Sequence, residues 1–381
     1  MRSVYLDHAA STPVHPEVAE RMMSVMTHQF GNASSVHGFG REAKRIVNGS
    51  RDQLSSWLGC EPDELVFTGG GTESDNLAIF GVMEQIGVQG SHVITSAIEH
   101  HAVLHACHEL ERQGCEVTYI PVDAMGRVSL KAIEDAMQEN TALVTVMYGN
   151  NEVGTVQPIF EIGELCRSHG VIFHTDAVQA LGSVSVSCRD MPVDLWSFSA
   201  HKINGPQGVG ALVVRRGISL SPRLFGGVQE KKRRAGTENM AGIAGFAKAV
   251  ELAAAAGQVR VQHYDELRTA LLNGLRREIG ENSFVINGHL EHYLPHILNI
   301  SFPDTTTETM LMNLDMEGIA AASGSACTSG SLEISHVLLA MKLSDPVLRS
   351  AIRFSFGLGN TTQEMEYTAQ KIGTILNRLR K

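Results

Sequence analysis

Val171-Ile172-Phe173-His174 is a short apolar run that follows a helical pattern over Pro158–His169 and ends just before Asp176. From about residue 63 to residue 215, short apolar runs alternate with helical patterns in the same way. Strands that alternate with helices of this length are typical of βαβ units and a mostly parallel sheet. We therefore predict an α/β fold in which a ligand binds outside the carboxyl ends of the strands. The further predicted elements of this region are the helix His101–Gln113 and the strands Ser91–Thr95, Val117–Pro121, Leu143–Met147, Leu195–Ser199 and Gly210–Val214.

A second structural unit follows this region. After about residue 216, a Gly-rich, basic turn leads into an alanine-rich helix near Asn239–Ala256, which we interpret as a connector. Beyond the connector, the pattern is helix, strand (His296–Phe302), helix and strand (Ala351–Ser355), which is typical of a small α+β unit. We predict three parts: an N-terminal segment packed on the small domain (1–15), a large domain (16–256) and a small C-terminal domain that carries Cys327 (257–381).

The composition and charge argue against several classes of protein. The formal net charge is −10, which does not provide the basic face that a nucleic-acid-binding protein needs. The one basic run, Lys231-Lys232-Arg233-Arg234, is typical of a solvated turn. Neither a secretory signal nor a run of about 18 apolar residues is visible, and the six cysteines include no Cys-x-x-Cys pair. We therefore expect a reduced, cytoplasmic protein that binds neither nucleic acid nor a membrane.

Three polar motifs follow predicted strands. Thr68-Gly69-Gly70-Gly71-Thr72-Glu73-Ser74 precedes a helical stretch, so it fits either a phosphate cradle or a tight strand-to-helix turn. Asp176 comes directly after a buried strand, where it either caps the next helix or needs a partner. Lys202 lies in the segment Ser199-Ala200-His201-Lys202 after another strand, and a lone loop lysine is usually only solvated.

Together, the three motifs match what pyridoxal 5'-phosphate (PLP) requires of a protein. This cofactor needs a lysine for its Schiff base, a carboxylate at its pyridine nitrogen and a cradle for its phosphate. Asp176 would keep the ring nitrogen protonated, and Lys202 would hold the cofactor and afterwards move the α-proton of the substrate. We therefore predict a PLP enzyme.

Several blocks of the sequence are specific enough to indicate a family. They are Phe30-Gly31-Asn32-Ala33-Ser34-Ser35, Gly71-Thr72-Glu73-Ser74-Asp75-Asn76, Glu99-His100-His101-Ala102, Asn150-Asn151-Glu152-Val153-Gly154, Ser199-Ala200-His201-Lys202, Arg234-Ala235-Gly236-Thr237-Glu238-Asn239 and Ser323-Gly324-Ser325-Ala326-Cys327-Thr328-Ser329. With these blocks, the chain resembles the cysteine desulfurases of the NifS/IscS type. These enzymes are PLP-dependent members of the class-V aminotransferases and have the aspartate-aminotransferase-like fold. The resemblance runs from Tyr5 to Phe354.

The resemblance implies roles for individual residues around the cofactor. Lys202 forms the Schiff base, Asp176 pairs with the ring nitrogen, and His100 stacks on the ring and moves protons. Thr237 reaches the phosphate of the neighbouring subunit, so the resemblance implies a homodimer. The other implied cofactor contacts are Asn151 and Gln179 near the phenolic oxygen and Gly71, Thr72, Ser199 and His201 in the phosphate cradle.

The resemblance also implies the reaction. Cys327 accepts the sulfur of L-cysteine as a persulfide, which leaves L-alanine, and passes it to an iron–sulfur scaffold protein or a tRNA-thiolation enzyme. Arg353 would clamp the substrate carboxylate through its planar guanidinium, and Asn32 is a further candidate for the same group. We expect no resident metal, although Cys327 is a candidate ligand of a transient iron–sulfur cluster.

Alternative interpretations remain at this stage. A selenocysteine lyase or another PLP lyase can use the same scaffold, whereas a plain aminotransferase leaves Cys327 without a role. A docking protein that has lost its activity conflicts with the joint presence of four residues: Lys202, Asp176, His100 and Cys327. In the segment Glu99-His100-His101, the histidines can also simply start a helix. A metal site at His101, His105 and Cys107 lacks a fourth ligand at a suitable spacing.

Overall fold

The computed structural model describes residues 3–324 and 334–379. Its strands are β1 (Val4–Tyr5), β2 (Leu65–Thr68), β3 (His92–Ser96), β4 (Glu116–Ile120), β5 (Thr141–Thr145), β6 (Ile172–Asp176), β7 (Leu195–Ser199), β8 (Gly210–Val214), β9 (Val285–Asn287), β10 (Ile297–Ser301), β11 (Ile319–Ala320) and β12 (Ala351–Ser355). Its helices are α1 (Pro16–His28), α2 (Gly38–Leu58), α3 (Gly71–Ile86), α4 (His101–Arg112), α5 (Leu130–Ala136), α6 (Ile159–His169), α7 (Met240–Ile279), α8 (Thr307–Met316), α9 (His336–Ala340), α10 (Asp345–Leu348) and α11 (Thr362–Leu379).

The central sheet has seven strands in the order β2-β8-β7-β6-β5-β3-β4. The neighbours from β7 to β4 run parallel, and β8 is antiparallel to both β2 and β7. Strands β3, β7 and β8 are buried along their whole length, as expected when helices cover both faces of a sheet. The predicted α/β fold with a mostly parallel sheet is confirmed.

Most predicted elements of this sheet lie within two residues of the observed ones. The largest difference at a functional strand is at β6, which extends to Asp176 instead of ending at His174. The extension forms because Thr175 and Asp176 still pair with Trp196 and Ser197 of β7. Asp176 is therefore the last residue of a buried strand and not a residue of the loop after it.

Helix α6 illustrates how the sheet is covered. Ile159, Ile162 and Cys166 recur at helical spacing and are buried against the sheet. The helix ends at Gly170, whose left-handed backbone (φ 68°) lets its N–H donate hydrogen bonds to carbonyl oxygens of the last turn. Gly163 lies on the same inner side, and a Cβ at this position would collide with the carbonyl oxygen of Pro192.

A second hydrophobic core lies beyond the sheet. The antiparallel sheet β12-β10-β9 packs with α8, α11 and the second half of α7. The N-terminal residues Val4 and Leu6 belong to this core, and β1 pairs with β11. These observations support the proposed division at residues 15 and 256, which stays a prediction.

The connecting helix is longer than the sequence pattern predicts. Helix α7 continues from Met240 to Ile279, with a kink at Gly257 (φ 41°, ψ −123°) where the prediction placed its end. It continues because Tyr264, Leu267 and Leu271 bury a second apolar face in the second core. By length and composition alone, α7 could span a membrane, but half of its most apolar window is buried inside the protein. Burial of that kind is expected of a core helix.

Two glycine substitutions test the packing of α6, because they should change the melting temperature in opposite directions. We expect Gly163→Ala to lower the melting temperature, because overpacking against Pro192 costs about 1–3 kcal/mol. Gly49 also lies within a helix, but a Cβ there meets open space. Gly49→Ala should therefore raise the melting temperature slightly, because alanine favours a helix by about 1 kcal/mol over glycine. Thermal unfolding of both variants measures the difference, and an unchanged or raised melting temperature of Gly163→Ala would contradict the packing described for α6.

Candidate active site

A cavity of about 260 Å³ lies at the carboxyl ends of the parallel strands. It is lined by residues from the ends of β6 and β7, from the start of α3 and from the N-terminal segment. This is the position at which open α/β sheets bind ligands. Of the residues proposed from the sequence, it brings together Gly71, Thr72, His100, Asn151, Asp176, Gln179, Ser199, His201, Lys202 and Arg353.

Lys202 is held at the cavity by the N-terminal segment. It ends a short 3₁₀ turn, Ala200–Lys202, directly after β7. Its Nζ donates hydrogen bonds to the carbonyl oxygens of Ala9 (2.6 Å) and Ala10 (2.8 Å). A lone loop lysine is usually solvated, but Lys202 lines the cavity, as the sequence analysis expected of a lysine that holds a cofactor.

Asp176 faces the same cavity from the end of β6. Its Oδ1 accepts a hydrogen bond from the backbone N–H of Val178 (2.9 Å), but the residues that follow form turns and the described stretch between β6 and β7 contains no helix, so Asp176 does not cap a helix. Burial raises the pKa of Asp176 to about 6, while its hydrogen bond to Val178 and the charge of Lys202 oppose this shift.

Asp75, which the sequence analysis did not single out, lines the cavity beside Asp176. Burial and the charge of Asp176 raise the pKa of Asp75 well above its usual range. Its Oδ1 has no hydrogen-bond partner within the described part of the chain, and His174 Nε2 lies 3.7 Å away. Because burial lowers the pKa of His174 to about 3, this imidazole is neutral and does not compensate the acid. The position of Asp75 one turn into α3 was the available signal.

His100 both caps a helix and lines the cavity. Its Nδ1 accepts a hydrogen bond from the N–H of Ala102 (3.1 Å), so the proton of the neutral ring is assigned to Nε2. Burial and the charge of Lys202 lower the pKa of His100 to about 4. The imidazole is therefore neutral near pH 7, the form that can accept a proton.

The glycine-rich motif forms an open anion-binding corner. Helix α3 starts at Gly71, and the first turn of a helix presents unpaired N–H groups. The carboxylate of Glu73 accepts a hydrogen bond from the N–H of Gly69 (2.7 Å) and forms a salt bridge with Arg234 (2.8 Å). These two contacts fix the shape of the turn. The corner is bordered by Ser199, His201, Gln207 and Gly208, and Gln207 was not predicted from the sequence.

Arg353 is buried in β12 and prepared to bind an anion. Its two terminal nitrogens donate to Asp7 Oδ1 (2.7 Å) and to the carbonyl oxygen of Asn151 (2.9 Å). Its Nε has no hydrogen-bond partner among the described residues. The guanidinium is thus oriented by Asp7, another residue that the sequence analysis did not assign, and keeps donor capacity for a carboxylate.

Three proposed residues lie elsewhere. Asn32 is exposed and caps a turn through Ser34 N (2.9 Å), and it is not among the residues that line the cavity. Thr237 is also exposed and does not line the cavity of its own chain. Cys327 lies outside the described residues.

The arrangement fits PLP. A lysine amine, a buried carboxylate that needs a cationic partner, an imidazole and an anion-binding corner surround one cavity. A group with a protonated ring nitrogen would supply a cationic partner for Asp176, because a buried carboxylate needs compensation. Gln179 and Asn151 supply polar groups at the same wall. No group of His, Cys, Asp or Glu side chains in residues 3–324 and 334–379 has the arrangement of a metal site.

Comparisons with known proteins agree with this site. Residues 4–368 match the family model described as aminotransferase class-V. The IscS 1 protein of Bacillus subtilis (strain 168) is 49% identical over 381 residues, which cover 100% of both chains. Cysteine desulfurase IscS of Dictyoglomus turgidum is 43% identical over 379 residues, 100% of this chain and 96% of that protein. A solved structure described as a NifS-like protein has a TM-score of 0.93 and 36% identity, covering 99% of this chain and 100% of that one. The chain therefore belongs to the class-V aminotransferase family, among the cysteine desulfurases of the NifS/IscS type.

Proposed function

We propose that this chain is an L-cysteine desulfurase that converts L-cysteine to L-alanine and retains the sulfur as a persulfide on Cys327. The observation that carries the proposal is the convergence of Lys202, Asp176 and Arg353 on one cavity. The full-length similarity to proteins named cysteine desulfurase supports the same activity. The role of Cys327 rests on the match of residues 323–329 to the family pattern.

Each residue of the cavity has a separate role in the reaction. PLP, when bound, withdraws electrons from the Cα of an amino-acid substrate. Lys202 holds the cofactor and then takes the α-proton, and Asp176 keeps a proton on the ring nitrogen. Arg353 binds the substrate carboxylate through its planar donors. His100, which is neutral near pH 7, accepts or returns a proton.

Asp75 supports Asp176 by staying protonated. Two buried carboxyl groups that line one cavity do not both ionise. Burial and the charge of Asp176 raise the pKa of Asp75, whereas the N–H of Val178 and the charge of Lys202 favour the ionised form of Asp176. The negative charge therefore resides on Asp176, the acid that faces Lys202.

The sulfur transfer balances without an external oxidant. The thiolate of Cys327 attacks the sulfur of the substrate, so that an S–S bond forms and the C–S bond of the substrate breaks. The electron pair of the broken bond stays on the substrate carbon, which takes up a proton and becomes the methyl group of L-alanine. The persulfide then passes to an acceptor thiol. We propose that this acceptor belongs to a cytoplasmic iron–sulfur scaffold or a tRNA-thiolation enzyme.

We also propose a homodimer in which Thr237 completes the phosphate cradle of the partner. Two surface segments carry large exposed apolar side chains, with Phe30 and Phe39 stacked at 5.4 Å in one and Phe225 87% exposed in the other. Thr237 follows the second segment, which Arg234 ties to the corner at Glu73. A symmetric contact over these segments would bury both the apolar side chains and the open corner.

We expect Lys202→Ala to abolish alanine formation, because no other described lysine lines the cavity. The measurement is alanine release from L-cysteine in the presence of a reducing thiol, with the absorption spectrum recorded alongside. Lys131→Ala is the matched control, since Lys131 is exposed and pairs only with Asp135 on the surface of α5. Normal alanine release by Lys202→Ala would rule out its role.

We expect Cys327→Ala to keep the yellow cofactor and to lose sulfur delivery to an acceptor thiol, because the variant has no thiol to carry the persulfide. Cys115→Ala serves as the control, because the Cys115 thiol is buried and bonded to the carbonyl oxygen of Ser91. Persulfide delivery by Cys327→Ala at the wild-type rate would contradict the assignment. Selenocysteine as a second substrate distinguishes a desulfurase from a selenocysteine lyase.

Mixed dimers test the role of Thr237. Lys202→Ala chains supply an intact Thr237, and Thr237→Ala chains supply an intact Lys202. In a random mixture at limiting PLP, roughly a quarter of the sites should be complete if Thr237 acts across the interface. Activity above the mean of the two pure variants supports the proposal, and activity equal to that mean contradicts it.

A further inference from the structure

Glu152 lies where the chain leaves and re-enters the described structure on either side of Cys327. Residues 325–333 carry Cys327 and lie outside the described residues, whereas Gly324 and Ser335 are described. Both of these flanking residues contact the carboxylate of Glu152. The side chain of Glu152 is buried (1% exposed), so both contacts lie inside the protein.

The contact with Gly324 requires a residue without a side chain. Gly324 has φ +131°, in the region that favours glycine, and a Cβ at this position would collide with Oε2 of Glu152. The backbone of Gly324, the last described residue before the segment 325–333, therefore packs directly on the carboxylate.

The contact with Ser335 is a short hydrogen bond. The hydroxyl of Ser335 donates to Oε2 of Glu152 at 2.5 Å. The hydroxyl oxygen of Ser335 in turn accepts hydrogen bonds from the N–H groups of Val337 (3.1 Å) and Leu338 (3.3 Å), and thereby caps α9. Glu152 thus fixes the direction of the hydroxyl proton, which leaves the lone pairs of Ser335 for the cap.

Glu152 is itself held in place and connected to the cavity. Its N–H donates to Asn150 Oδ1 (2.8 Å), and its carbonyl oxygen accepts from Asn299 (3.1 Å). The preceding residue, Asn151, lines the cavity and accepts from Arg353 through its carbonyl oxygen. Arg353 also exchanges backbone hydrogen bonds with Ala322, two residues before Gly324 (2.7 and 3.1 Å).

We propose that Glu152 is a positioning residue for sulfur transfer, whose side-chain oxygen accepts from Ser335, contacts Gly324 and so holds together the described residues on the two sides of the segment that carries Cys327. This inference rests on the function proposed above. Cys327 follows Gly324 by three residues, so its Cα can lie no more than roughly 11 Å from that of Gly324. The position of Gly324 therefore limits where the thiol can reach, and a misplacement of about 1 Å can cost a reaction roughly a hundredfold in rate.

An electrostatic role is the competing explanation. Burial raises the pKa of Glu152, whereas Ser335, Arg353 and His101 oppose the shift. Through its charge, Glu152 could act on the substrate clamp Arg353 instead of on the ends of the segment. The two roles differ in what they require, because the positioning role needs the hydrogen bond and the electrostatic role needs the charge.

Two substitutions separate the hydrogen bond from the charge. Ser335→Ala removes the donor and keeps the carboxylate, and Glu152→Gln removes the charge and keeps an oxygen that can accept from Ser335. Holoenzyme is mixed with L-cysteine in a single turnover, and the persulfide on Cys327 is followed by mass spectrometry. The affinity for L-alanine, measured from the change in the cofactor absorption band, provides an independent readout. Thr306→Ala is the matched control, because it removes the hydroxyl cap of α8.

We expect Ser335→Ala to slow persulfide formation by about tenfold or more, and Glu152→Gln and Thr306→Ala to stay within about threefold of wild type. The affinity of all three for L-alanine should stay within about twofold of wild type. Wild-type rates in Ser335→Ala, or slowing by Glu152→Gln together with weaker alanine binding, would overturn the positioning role. If the wild-type enzyme forms no persulfide at all, the proposed function itself fails.

Discussion

Two carboxyl groups buried next to one lysine determine the chemistry that this site can support. Asp75 and Asp176 lie in a part of the protein where an uncompensated negative charge is costly. Lys202 is the described cation that opposes the charge on Asp176, and it is held there by carbonyl oxygens of the N-terminal segment. A cavity with this charge pattern suits a ligand that carries a cationic ring and reacts with an amine. The parallel sheet provides the frame, because the strand ends bring Asp176 and Lys202 to the same edge.

The N-terminal segment connects the two cores at the site. Val4 and Leu6 are buried in the second core, while the carbonyl groups of Ala9 and Ala10 hold Lys202 beside the first. Between them, Asp7 pairs with Arg353 of β12. A segment of a few residues thus orients both the amine that would hold the cofactor and the guanidinium that would bind the substrate. Neither orientation can be attributed to one core alone.

The sequence predicted the sheet and much of the cavity, for reasons that are local. Short buried strands leave a strong apolar signal, and the residues after them, such as Lys202 and Gly71, lie at the carboxyl edge for topological reasons. Asp75 escaped prediction because it lies inside a helix, where only its position one turn after Gly71 indicated that its side chain could face the cavity. Asp7 and Glu152 escaped because their partners, Arg353 and Ser335, are distant in sequence. The end of the connecting helix was placed at Ala256 because the apolar face of α7 changes there from one core to the other.

Helix α7 limits the insertions and deletions that this protein can accept during evolution. One helix packs against both cores, on either side of a single kink at Gly257. Each residue of an α-helix turns the chain by about 100° and advances it by about 1.5 Å. Insertion or deletion of one residue between Val250 and Leu267 would turn one apolar face away from its core, unless the kink absorbed the rotation. Surface positions of the connector are thus free to vary in sequence, whereas its length is under strong constraint.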